Sequence, residues 1–210
     1  MDQEKQLSEY ESLQIIQQMI NTAKQEQKND GKGWIIWGWM LFLVSVFTVI
    51  NLNFRWFHVF IFWNLFGLFT LIAFMVDLFQ TFILKKKQRV KTYTNEIIRK
   101  LNIGFFISLM FIIVSMNVGI SPLKGFPLLM SLYGFWILIY GTLLDFKPSV
   151  VGAYATWALA FIALFQTDFK VVMMLHGAAA FFGYIIPGHL ANKKFKEVAA
   201  RKSFNNERGV

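Results

Sequence analysis

Cysteine is absent from the 210-residue chain. That excludes disulfides, thiolate metal sites, iron–sulfur clusters, cysteine nucleophiles and S-acylation. Histidine occurs three times, at His58, His176 and His189, which is too sparse for a metal set. No HExxH, GxSxG or P-loop is present, and no pair of carboxylates at helical spacing lies within the apolar runs. No catalytic cluster is legible, so the sequence leans away from an enzyme and predicts neither a metal nor a cofactor. Charge is also scarce, at 16% of residues, against about a quarter in soluble domains.

What remains is apolar. Hydrophobic residues make up 56% of the chain, and phenylalanine alone fills 24 positions. A soluble fold of this length has too little interior to hide that surface. The composition predicts an all-α, polytopic membrane bundle. A hydrocarbon core about 30 Å thick takes about 20 helical residues, and six stretches fit: 34–52, 57–84, 101–120, 126–144, 149–166 and 171–188. The runs are continuous and lack the alternation of a barrel strand. Pro127 is expected in the first turn of its helix, Pro148 just before the next, and Pro122 in the connection "SPLKG". Residues 1–33 hold six acidic and four basic residues and no uninterrupted apolar core. The first span is therefore expected to serve as its own insertion signal.

Lys and Arg fix the expected orientation. With a cytoplasmic N-terminus, the inner segments carry four (1–33), seven (85–100), one (145–148) and six (189–210) of the 21 Lys and Arg. The outer loops carry only Arg55, Lys124 and Lys170. Both termini are then expected on the cytoplasmic side of a bacterial inner membrane, with 189–210 as a basic cytoplasmic tail. Lys85, Lys86, Lys87 and Arg89 form a topology anchor for anionic lipid headgroups rather than a nucleic-acid patch.

Residues 7–29 read as one amphipathic cytoplasmic helix. Ser8 and Glu11 match a capping box, and Asn29-Asp30-Gly31 is a stop signal. Leu13, Ile16, Met19 and Ile20 fall on one face, a candidate surface for the bundle's inner ends, a protein partner or a second copy.

The polar residues within the spans are the candidate site. His176, Asn64, Asn117 and Tyr133 lie in the outer half, and Asp77, Tyr140 and Tyr184 in the inner half. Asp77 stands eight residues before Lys85. It reads as an interfacial carboxylate beside the basic run, or alternatively as a buried proton or cation site. A neutral His176 inside a span needs a partner on a neighbouring helix. Pro187 has no N–H to offer the Gly183 carbonyl, so Pro187 and Gly188 predict a helix end or a kink there.

The segments "ESLQIIQQMINTAK", "GWIIWGWM", "FWILIYGTLLDFKP" and "GYIIPGHLAN" occur in that order. Together they resemble a family of small bacterial multi-pass inner-membrane proteins of unknown function. The resemblance implies an N-terminal helix followed by several spans and a role in the cell envelope; it supplies no functional residues. Two functions follow as expectations. The first is a non-enzymatic membrane protein for envelope homeostasis, sensing or partner binding. The second is a small transporter or channel, since three plus three spans would be inverted repeats and "GWIIWGWMLF" faintly echoes "GFWILIYGTLL".

Overall fold

The computed structural model describes residues 31–82 and 93–207. Every regular element among them is helical. In chain order these are α1 (Lys32–Phe54), α2 (Ile61–Phe82), α3 (Tyr93–Val118), α4 (Pro122–Leu143), α5 (Lys147–Leu164), α6 (Phe169–Ala180), a π-helical turn (Phe181–Ile185) and α7 (Ile186–Glu207). Among the described residues, five stretches are long and apolar enough to cross a membrane: Lys32–Phe54, Lys100–Val118, Pro122–Leu143, Lys147–Leu164 and Phe169–Val198. In α2 the apolar stretch is shorter, Ile61–Val76. The amphipathic face of Leu13, Ile16, Met19 and Ile20 lies outside the described residues, as do Lys85, Lys86, Lys87 and Arg89 and the side chain of Asp77.

Helix ends depart from the sequence expectation where chemistry favours continuing the helix. Pro122 opens α4 instead of lying in the connection, because the first helical position needs no N–H donor. Pro127 is therefore a turn further in, inside the helix. Pro148 falls within the first two positions of α5. Helix α3 starts at Tyr93, ahead of the apolar run, since polar residues can extend a helix into water without cost to its ladder. Gly188 does not terminate the last span: the helix passes through it to Glu207. Pro187 is absorbed upstream, by the π turn. There the Ile186 N–H bonds to the Phe181 carbonyl five residues back, which widens the helix just where a proline ring would strike the Gly183 carbonyl.

Four rods, α1, α4, α5 and the continuous α6–π–α7, form the tight part of the bundle. Glycines let them approach. A Cβ on Gly152 would stand 2.8 Å from the Phe182 carbonyl oxygen, and one on Gly183 would stand 2.5 Å from Thr156 Oγ1. A Cβ on Gly38 would meet Tyr184 Cβ at 2.7 Å, and one on Gly141 would meet Ser149 Cβ at 2.7 Å. Without a solvent-driven hydrophobic force between spans, this close packing is what holds apolar helices together. The wider π turn is thus seated among small residues of α1 and α5.

Helices α2 and α3 are peripheral. Among the described residues no Cα of α2 lies within 8 Å of a Cα of α3; α2 approaches α1 and α3 approaches α4. Gly67 on α2 and Gly104 on α3 face open space, and a Cβ on either would have nothing within 4 Å. One ring pair, Phe74 and Phe106 at 4.9 Å, spans the gap. Outward faces carry large apolar groups: Phe111 is 73% exposed and Phe161 65%. Such a surface suits lipid and would aggregate in water.

Candidate functional site

His176 sits on α6 and is 1% exposed. Its Nδ1 lies 2.9 Å from Ser45 Oγ on α1, the neighbouring-helix partner that a buried imidazole requires. Ser45 Oγ also donates to the Leu41 carbonyl at 2.8 Å. Thr48, Thr70, Ser115 and Thr156 donate to the carbonyl four residues back in the same way. A hydroxyl has one proton. With Ser45's proton on Leu41, the proton between Ser45 and His176 belongs to Nδ1. The opposite nitrogen, Nε2, is then a lone-pair acceptor.

Three aromatic rings box the imidazole. Trp63 of α2 crosses it at 87° and 5.0 Å, and Phe126 of α4 at 88° and 5.8 Å. Tyr133 of α4 meets it at 74° and 5.8 Å. These edge-to-face arrangements are the favoured ones for aromatic quadrupoles. Trp63 and Phe66 carry peripheral α2 to the core, and Trp63 also touches Phe126 at 4.6 Å.

On the other side of this box lies a cleft of about 290 Å³ between α2, α3 and α4. Trp63, Asn64 and Gly67 line it from α2, Met116 and Asn117 from α3, and Phe126 and Tyr133 from α4. The structure thus brings Asn64, Asn117 and Tyr133 to one space. His176 backs its wall instead of facing it. Asn117 turns its amide inward along its own helix, donating to the Ile113 carbonyl at 2.8 Å. The cleft lies where α2 and α3 diverge, with nothing within 4 Å of the Cβ position of Gly67. Its described lining carries no charged side chain.

Tyr133 joins the two halves of the candidate site. It meets Tyr184 of the π turn at 6.2 Å. Tyr184 in turn meets Trp34 at 5.4 Å, and Trp34 meets Tyr140 at 4.8 Å. A second recess of about 180 Å³ lies beside Tyr184, lined by Trp34, Trp37, Asn102 and Trp136. Pro187 and Gly188 are buried where α7 passes α1, and a Cβ on Gly188 would stand 3.0 Å from the Ile35 nitrogen. Three buried polar atoms have no hydrogen-bond partner among the described residues: Trp63 Nε1, His176 Nε2 and Tyr184 Oη. Also among the described residues, no three acidic or histidine side chains converge to hold a metal.

Sequence reasoning missed Ser45 and Trp63. Ser45 is 131 positions from His176, and nothing local marks that pairing. Trp63 carried no separate signal, because it stands near the outer end of its expected span, where a tryptophan reads as part of the interfacial belt. Asn51 was missed too: it exchanges two hydrogen bonds with the Phe57 backbone, at 3.0 and 2.9 Å, and so clasps the α1–α2 connection.

No family model, curated protein or solved structure matches this chain. The geometry alone carries the functional reading.

Proposed function

We propose that this chain is a non-enzymatic integral membrane protein that takes a small apolar molecule from the bilayer into the α2–α3–α4 cleft, as a sensor or binding component of the bacterial envelope. The supporting observation is the cleft itself: about 290 Å³ lined mainly by Phe, Leu, Ile and Met, beside two helices that do not pack on each other. A pocket with an apolar lining and a few convergent polar groups is what a small-molecule site needs. In this reading α2 makes a sixth crossing, its length completed beyond Val76 toward the basic run. The Lys and Arg bias puts both termini in the cytoplasm.

An apolar cavity of about 150 Å³ holds one benzene, so a two-ring hydrocarbon suits this one. The protein in nanodiscs is expected to bind labelled naphthalene saturably, after subtraction of empty discs. Gly67→Leu places a side chain in the cleft without touching the core. It should weaken that binding at least about tenfold while leaving the melting temperature within a few degrees. Equal binding by the wild type and Gly67→Leu would remove the cleft from consideration.

The file His176, Tyr133, Tyr184, Trp34 and Tyr140 favours a second reading, transport, because it links the cleft region to the far end of the bundle. Protein-dependent proton or cation flux into sealed liposomes would support it over the first.

A further inference from the structure

We infer that the groove between α5 and α7 holds an anionic phospholipid, with an acyl chain along its floor and the phosphate at Lys147. This site is separate from the α2–α3–α4 cleft and does not depend on it. The groove encloses about 440 Å³. Val151, Gly152 and Ala155 line it from α5, and Phe182, Ile186 and Leu190 from the π turn and α7. Its floor is the backbone approach at Gly152, where a Cβ would stand 2.8 Å from the Phe182 carbonyl oxygen and 3.2 Å from Pro187 Cγ. Val151 is 67% exposed and Leu190 44%, so large apolar side chains rise on either side of a buried glycine. Phe182 and Leu190 are eight residues apart, about 12 Å along a helix. That is a long, narrow, apolar bed, the shape of a run of methylenes.

The end of the groove selects the headgroup. Lys147 is the one charged side chain among its described lining. Lys193 follows Ile186 by seven residues, two helical turns, and so continues the same face of α7 beyond Leu190. Both lysines are exposed, and among the described residues no ion pair engages either. Helix α5 opens at Lys147 with no acidic residue in its first turn and no side-chain cap, so the positive end of its dipole adds to the same field. Phosphatidylethanolamine carries its own ammonium and gains little from this field. Phosphatidylglycerol brings a phosphate without an internal counter-charge and gains from it. A free phosphate lacks the apolar body that fills the groove.

The test uses the full chain in phosphatidylcholine nanodiscs. Because the chain has no cysteine, Tyr154→Cys, an exposed position on α5 beside the groove, takes a single dansyl group. Its quenching by phosphatidylglycerol and by phosphatidylethanolamine, each with a nitroxide on the acyl chain, gives the mole fraction of each lipid at half-effect. Phosphatidylglycerol should act at a mole fraction at least about fivefold lower, the gain expected from one lysine near a lipid phosphate. Lys147→Gln with Lys193→Gln, both at exposed positions, should cut that advantage to about twofold or less, and Lys147→Arg should keep it. Ala155→Leu fills the groove beside unchanged lysines and should weaken quenching by phosphatidylglycerol severalfold. Equal quenching by the two lipids without further substitution would overturn the inference. So would an advantage that survives the double lysine variant in full, which would assign the lipid to other basic residues. Quenching unchanged by Ala155→Leu would put the chain outside the groove and overturn it as well. Displacement of the labelled lipid by soluble glycerol phosphate would overturn the lipid in favour of a free anion.

Discussion

Glycine residues divide this molecule sharply. Gly183 lies against Thr156 Oγ1 and Ile137 Cδ1, with 2.5 and 2.8 Å left for a methyl group. Gly104, on a helix of similar composition, faces open space. The same substitution should therefore have opposite effects. Gly183→Ala overpacks a junction of three rods and should cost about 1–3 kcal/mol. Gly104→Ala gains helix propensity and should be neutral or stabilising by up to about 1 kcal/mol. Thermal unfolding in mild detergent compares the two directly; equal shifts would deny the division between a tight core and loose arms. Gly183 could be picked out in the sequence as a small residue near others at helical spacing. Its contact with Thr156 could not, because that depends on how two rods cross. The same holds for His176: its need for a partner follows from burial in a span, while the choice of Ser45 follows only from packing.

Among the elements, the π turn is the one that residue periodicity did not disclose. Pro187 announced a disturbance, and the expected outcome was an end or a kink at Pro187 and Gly188. The helix instead gains a residue over Phe181–Ile185 and continues. Spans were legible because length and hydropathy are summed over about 20 residues; the form of a local defect depends on what surrounds it. Here Gly38 and Gly152 leave room for the wider turn. If Pro187 sets the turn, Pro187→Ala should let the ordinary ladder re-form and rotate α7 by about 100° against α6. That would pull Gly188 away from Ile35. The variant should melt lower, by roughly 1–3 kcal/mol, although alanine is the better helix former. A higher melting temperature would show that α1 and α5 hold the turn unaided.

For the whole molecule, the all-helical class and most of the spans could be read from composition and hydropathy, whereas the cleft could not. A void is a property of the spacing between rods: Asn64 and Asn117 stand out in the sequence as polar residues inside spans, but nothing local says that they and Gly67 line one space. The sidedness of the bundle can be tested cleanly, because the chain has no cysteine of its own. Trp56→Cys, in the α1–α2 connection, should react with a membrane-impermeant maleimide on intact cells. Lys147→Cys, at the start of α5, should react only after permeabilisation. The reverse pattern would invert the assigned orientation, and identical labelling of both would place them on one side.

The divergence of α2 from α3 has a mechanical side. The rods of the tight core resist separation through close backbone contact, but among the described residues these two share the Phe74–Phe106 ring pair and no close backbone approach. Lateral tension in the surrounding bilayer would thus meet less resistance at this seam than within the tight core, so that stretching or thinning of the membrane should widen the opening more readily than it parts the core rods.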